Sequence, residues 1–264
     1  MSDSGPTLWQ IDVSHFSEKA RWALAYKGVE HRRRSAPPGL HMLVALWLTR
    51  GAQKTFPLLE LDGRVIGDST AIVAALEQRY PDPPLYSADP EQRRRALELE
   101  EFFDEELGPH MRLLAFHELI KEPELFAEVA ANSVPAPLRK AKGLTGAYAR
   151  AFTSLRFGAN SDAAATAARA KIIAAMDRLD AELAANGGEY LAGDGFSVAD
   201  LTAAALFYPL VRPAEGPLPA DSPTPPALER FREGLSDRRG YLWVKEMFRR
   251  HRAPARSATP GASL

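Results

Sequence analysis

Three prolines within four residues, Pro81-Asp82-Pro83-Pro84, divide this chain into two stretches of different periodicity. Proline lacks a backbone N–H and fixes φ, so neither a helix nor a central strand runs through such a cluster. It reads as a stiff linker between two units. Upstream, short apolar runs alternate with helical spacing; downstream, the spacing is almost wholly helical. A chain of 264 residues is long enough for two domains with a sizeable core. The expected division is 1–82, a linker over 83–89, and 90–264 with a frayed tail after about 253.

The upstream unit opens with Thr7 to Val13, rich in Leu, Trp, Ile and Val, which predicts a strand. A helical pattern follows from about Ser17 to Lys27, with Gly28 placed as a C-terminal cap. Val29 to Ser35 reads as a second strand with one wet face. Pro37-Pro38-Gly39 breaks the chain before Leu40–Leu48, a short apolar helix or irregular turn. In Phe56 to Gly67 two apolar runs flank Asp62-Gly63, a pair suited to the positive φ angles of a tight hairpin. Asp68 to Arg79 then has helical spacing, with Ile72, Val73, Ala75 and Leu76 inward and Ser69 as N-cap. The order is βαβ, a bridging segment, then ββα.

Beyond the linker, Pro90 to about Glu118 predicts a long helix kinked at Gly108-Pro109. Further helical segments fall near Pro135–Arg156, Ala163–Ala185 and Val198–Leu210. Ser197-Val198-Ala199-Asp200 has the form of a capping box, with Phe196 and Leu201 at the staple positions. Pro213 to Pro226 is a proline-rich loop, and Ala227–Gly234 and Tyr241–Arg250 are short closing helices.

Composition narrows the chemistry. A formal net charge of −1 argues against a basic footprint for nucleic acid. The runs His31-Arg32-Arg33-Arg34 and Arg93-Arg94-Arg95 are short and read as solvated faces. With no cysteine, disulfides, thiolate metal sites and a protein-thiol nucleophile are all excluded. No apolar run approaches the length of about eighteen residues needed to span a bilayer, so no membrane role is expected. The polar Met1–Pro6 stretch has no apolar signal core, and the expected location is the cytoplasm. Glu106 lies four residues before His110, but further ligands for a metal are missing, and no metal is expected.

Three matches in order give the first unit its resemblance to the thioredoxin-like domain of glutathione transferases. Ser14-His15-Phe16-Ser17-Glu18-Lys19-Ala20-Arg21 resembles the family's strand-to-helix turn, where a Ser, Cys or Tyr contacts the glutathione sulfur. Lys54-Thr55-Phe56-Pro57 is similar to the segment ending in a cis-proline. Gly67-Asp68-Ser69-Thr70-Ala71-Ile72 is similar to the acidic-Ser pair that holds the γ-glutamyl group. Later, Tyr190 to Asp200 resembles the capping segment of the family's helical domain. The resemblance implies an α/β thioredoxin-like N-terminal domain followed by an all-helical C-terminal domain. It also implies glutathione as co-substrate, an electrophilic small molecule as its partner, a detoxifying role and a homodimer. Isomerase and dehalogenase chemistry use the same thiolate. A non-catalytic ligand-binding or interaction module on the same fold is the alternative.

The residues support that chemistry on their own terms. A thiol becomes a good nucleophile only as thiolate. Ser14 at a helix start combines a hydroxyl donor with the positive end of the helix. A hydrogen bond to a charged group is worth about 1.5–3 kcal/mol and the helix end about 0.3–1 kcal/mol. Together they bring a thiol pKa from about 8.5 toward about 7. Ser14 is the first candidate for this contact, with Ser17 and His15 as alternatives; His15 is otherwise expected to face solvent. By the resemblance, Phe16, Ser17, Phe56 and Pro57 line the glutathione site, with His41 or Lys54 for the glycyl carboxylate. Asp68 suits an ammonium and the helix start at Ser69 a carboxylate, two groups that a γ-glutamyl end carries on one carbon. His110, Met111, Leu114 and His117 are the candidates for the acceptor cleft.

Overall fold

A computed structural model describes residues 5–36, 40–132, 158–218 and 222–252. The expected helix near 135–156 and the tail after 253 lie outside these residues. The first unit runs β1 (Thr7–Gln10), α1 (His15–Tyr26), β2 (Arg32–Ser35), α2 (Leu40–Leu48), β3 (Leu58–Leu61), β4 (Arg64–Gly67) and α3 (Ser69–Arg79). Its sheet has the order β2-β1-β3-β4. β1 and β2 are parallel, because α1 makes the crossover that parallel strands require. β3 is antiparallel to both β1 and β4. The β3–β4 hairpin turns on Asp62 (φ 48°) and Gly63 (φ 75°), the paired positive angles anticipated from the dipeptide.

Alternation along the strands sorts the core into two layers. Leu8, Leu59 and Leu61 join Ala20 and Leu24 of α1 and Ile72 and Leu76 of α3. Trp9 and Leu58 point the other way, toward Phe56 and Ala45 of α2. Several boundaries move by a few residues. β1 stops at Gln10, so residues 11–14 leave the ladder as a turn and α1 starts at His15. β2 starts at Arg32 because α1 is closed past Gly28 (φ 64°) by the Val29 N–H on the Leu24 carbonyl, 2.9 Å. The N-cap of α3 is Asp68 rather than Ser69, since its carboxylate accepts from the Thr70 and Ala71 N–H groups. Ala75 is half-buried rather than inward.

The second unit contains α4 (Pro90–Glu106), α5 (Gly108–Ile120), α6 (Pro123–Asn132), α7 (Asp162–Ala185), α8 (Val198–Val211), α9 (Pro226–Glu233) and α10 (Arg239–His251). The expected kink is a full break at Leu107. α8 is buried on nearly every side and packs against α1, α4, α5 and α10. It begins on the anticipated box: the Asp200 carboxylate accepts from the Ser197 N–H (2.8 Å), the Ser197 hydroxyl (2.7 Å) and the Leu191 N–H (2.8 Å). Burial pushes the Asp200 pKa up to about 6 against these bonds.

The units meet on buried charge. Lys19 of α1 has a fully buried side chain whose ammonium lies 2.9 Å from Glu100 and 2.6 Å from Asp104, both on α4. It donates to Asp104 and to the Thr70 hydroxyl of α3, 2.7 Å, which in turn donates to Asp104. Burial pushes the Glu100 carboxyl up while Lys19 pulls it down, and the net direction is up. Removing one member of a buried ion pair leaves an uncompensated charge. Lys19→Met is therefore expected to lower unfolding free energy by about 3–5 kcal/mol in urea titrations. A loss below about 1 kcal/mol contradicts the buried geometry.

Candidate functional site

The turn over residues 11–14 carries the end of β1 into α1. The Ser14 N–H donates to the Ile11 carbonyl, 3.0 Å, and Ser14 itself is extended (φ −79°, ψ 127°) as the N-cap of α1. Its Oγ accepts from the Ser17 N–H, 3.3 Å. That bond uses a lone pair and leaves the hydroxyl proton to donate elsewhere. Ser14 is half-buried, whereas Ser17 is wholly buried with its Oγ accepting from the Ile11 N–H, 3.2 Å. The two serines therefore differ: Ser14 reaches the surface at the helix start, and Ser17 stitches the turn from inside.

His15 does not face solvent as expected. It is buried, with Nε2 2.9 Å from the Gly108 carbonyl, so that nitrogen carries the proton. Burial and the nearby Arg112 guanidinium push its pKa down to about 3, against the Gly108 bond. Phe16 lies on the same break between α4 and α5. A Cβ on Gly108 would meet the Phe16 ring at 2.4 Å, and the Arg112 Cζ lies 5.6 Å from the ring centroid. The start of α1 is thereby seated on the start of α5.

At the same end of the sheet, where Leu58 opens β3 opposite Trp9 of β1 and Gly67 of β4, the Phe56–Pro57 peptide is cis, as the resemblance implied. The Phe56 ring is buried, its centroid 6.1 Å from that of Trp9 and 5.8 Å from that of His41. Lys54 is exposed two residues earlier, and His41 is buried within α2. Asp68 is exposed and held at φ 75°, ψ 133°, a conformation costly for a residue with a Cβ. Its Oδ1 takes the Thr70 N–H at 2.9 Å and the Ala71 N–H at 3.3 Å. The amide that this cap does not take is that of Ser69, which is buried at the first position of α3.

The acceptor candidates on α5 divide. Met111 and Leu114 are fully buried and belong to the core. His117 is buried too, with Nδ1 2.7 Å from the Ala159 carbonyl and Nε2 3.2 Å from Asp162. These three face inward rather than into a cleft. His110 is half-buried, its pKa lowered by burial and Lys171. Glu106 pairs with Lys171, and among the described residues no group of three His, Cys, Asp or Glu could hold a metal. Arg112, four after Gly108 and so on the same face of α5, lies over Phe16 at the start of α1. Helical spacing from Gly108 would have found it.

The glutathione S-transferase N-terminal domain family matches residues 8–84, and the glutathione S-transferase C-terminal domain family matches 162–240. Together these models take in more than half of the chain, and it belongs to the glutathione S-transferase family, a class of enzymes. It is 24% identical over 237 residues to a probable maleylacetoacetate isomerase of Caenorhabditis elegans, spanning 90% of this chain and 91% of that protein. A maleylacetoacetate isomerase of Pseudomonas aeruginosa is 38% identical over 95 residues, 33% of this chain and 43% of that protein. The fold is that of a glutathione S-transferase of Ceriporiopsis subvermispora solved in complex with glutathione. That structure superimposes with a TM-score of 0.65 at 17% identity, covering 96% of this chain and 100% of the other.

The buried neutral His15 has a consequence for acid stability. Its folded pKa of about 3 lies below the unfolded value of 6.5, so the unfolded chain takes up the proton first. Its contribution is complete above about pH 6.5 and is lost as pH falls toward about 3. Between pH 7 and pH 4.5 the wild type is expected to lose about 2–3 kcal/mol more stability than His15→Asn. Equal losses in chemical denaturation would refute the buried neutral imidazole.

Proposed function

We propose that this protein is a glutathione-dependent enzyme in which Ser14 donates to the glutathione sulfur, holds it as thiolate and directs it at an electrophilic small molecule. The observation that carries the reading is the contrast between the two serines. Ser14 sits half-buried at the positive start of α1 with its proton unspent on Ser17, while Ser17 is buried and engaged with Ile11. Asp68, exposed beside the start of α3, supplies the charge for the γ-glutamyl ammonium, and the Ser69 amide suits its carboxylate. Phe56 and cis-Pro57 form the wall between these ends, with Phe16 at the α5 side and Lys54 or His41 for the glycyl carboxylate. A homodimer and a detoxifying role belong to the same reading and rest on the family resemblance; a cytoplasmic location is proposed with them.

Within that chemistry the isomerase variant is favoured by the relatives, whose names specify maleylacetoacetate isomerase along 90% of this chain in one case. A thiolate that adds reversibly to an activated cis double bond permits rotation and is then expelled, so no net conjugation is needed. Arg112, at the Phe16 end of the site, carries the charge suited to a carboxylate on such an acceptor.

Calorimetry with glutathione tests the site. Wild type is expected to bind, and Asp68→Asn, which keeps the shape of the cap while removing its charge, to bind about ten- to a hundredfold more weakly. Ser14→Ala is expected to keep most of the affinity while raising the pKa of the bound thiol by about one unit. Absence of binding by the wild type sinks the reading; an unmoved thiol pKa in Ser14→Ala removes Ser14 from the sulfur.

A further inference from the structure

Between the last ladder residue of β1 and the first residue of α1, four carbonyls have no strand partner. They belong to Ile11, Asp12, Val13 and Ser14, and they leave the sheet together. Backbone N–H groups serve two of them, Ser14 N–H donating to Ile11 O (3.0 Å) and Glu18 N–H to Ser14 O (2.8 Å), and those of Asp12 and Val13 depend on side chains. Two side chains from different units reach all four. The Arg21 guanidinium donates through Nη1 to Ile11 O (3.4 Å) and through Nη2 to Asp12 O (3.0 Å) and Ser14 O (3.4 Å). Its other two donors go to Gln10 Oε1 (3.1 Å) and Glu18 Oε2 (2.7 Å), so each N–H of the planar fork is used. Val13, the carbonyl that Arg21 does not take, accepts from the Tyr208 hydroxyl at 2.5 Å.

Neither side chain is adjustable. Arg21 is buried and Tyr208, on the central helix α8, is wholly so. Arg21 is aimed by Glu18, whose second oxygen accepts from Arg252 Nε at 2.6 Å, just beyond the end of α10. Trp22 fastens the same contact by donating from Nε1 to the His251 carbonyl, 3.0 Å. The turn is therefore held from α1, from α8 and, through Glu18, from the end of α10.

We infer that Arg21 and Tyr208 are positioning residues for Ser14, fixing the turn that aims its hydroxyl, with Glu18 extending that hold to Arg252. The inference rests on the reading of Ser14 as the sulfur contact, but its mechanical part does not need a ligand. Tyr208 touches no reacting atom; it acts through the Val13 carbonyl, one residue from Ser14. Loss of its hydroxyl frees Val13 and lets the 11–14 turn rotate. The Ser14 donor is then present but misaimed, which affects ionisation of a bound thiol more than affinity for it.

The test compares Tyr208→Phe with Tyr241→Phe. Tyr241 also donates from a buried hydroxyl to a backbone carbonyl, but to that of Val211 at the end of α8, 3.2 Å, rather than to the 11–14 turn. Without ligand, amide hydrogen exchange over residues 14–18 is expected to quicken at least tenfold in Tyr208→Phe and to stay at the wild-type rate in Tyr241→Phe. With glutathione, the bound thiol pKa, read from thiolate absorbance, is expected to rise by at least half a unit in Tyr208→Phe. The dissociation constant should stay within about threefold. In a Ser14→Ala background the same substitution is expected to produce no further rise. Arg252→Gln, which loosens Arg21 through Glu18, is the second variant should Tyr208→Phe not fold, and quickens the same amides. Unchanged exchange over 14–18, or an equal change in Tyr241→Phe, overturns the positioning role even if glutathione binds. Quickened exchange in a protein that never binds glutathione instead upholds the mechanical part and strikes the proposed function.

Discussion

A lysine ammonium buried where three helices meet is the constraint on which the remaining structure depends. Desolvating Lys19 is tolerable only because the Glu100 and Asp104 carboxylates balance its charge and Asp104 and Thr70 accept its hydrogen bonds. Those acceptors come from α4 and α3, so α1 cannot shift without stranding charge. The helix that starts at Ser14 and the helix that starts beside Asp68 are thus locked to the same point on the second unit. The distance between the two ends of the site is a consequence of that lock rather than of the sheet alone.

Helix α1 then serves two purposes along its length. Its first turn presents Ser14 outward and folds Ser17, His15 and Phe16 onto β1 and the α4–α5 break. Its middle carries Glu18, Lys19 and Arg21, three buried charges at spacings that send them toward α10, α4 and the turn. Burying so much charge in one helix is expensive, and each group is matched. Arg21 finds its partners within its own unit, whereas Lys19 is matched by Glu100 and Asp104 and the second oxygen of Glu18 by Arg252, so the thioredoxin-like unit depends in part on its neighbour for the shape of the 11–14 turn.

Local physics was legible in the sequence. Asp62-Gly63 announces its hairpin because few other pairs accept two positive φ angles, and Ser197 to Asp200 announces α8 because capping is a short-range bond. The order of the motifs around Ser14, Pro57 and Asp68 places the fold correctly. Long-range contacts were not legible. Nothing local distinguishes Lys19 from a solvated helix lysine, because Glu100 and Asp104 are more than eighty residues away and are chosen by packing. His15 reads as exposed because its acceptor, the Gly108 carbonyl, lies 93 residues downstream. Met111, Leu114 and His117 share one stripe of α5, but periodicity does not say whether a stripe faces core or cleft. Asp68 and Ser69 are both good caps, and what decides between them is where the helix begins: the Asp68 carboxylate takes the Thr70 and Ala71 N–H groups, leaving Ser69 inside α3.

Proton release measures thiolate formation at Ser14 directly. Glutathione binding is followed by calorimetry at pH 7 in two buffers of different ionisation enthalpy, with S-methylglutathione as the ligand that has no thiol proton. A bound thiol with a pKa near 7, against about 8.5 free, gives up close to half a proton per site on binding. The predicted result is about half a proton released by glutathione and none by its S-methyl analogue, with both ligands bound. Equal release for the two, or none for either, contradicts thiolate formation at this site.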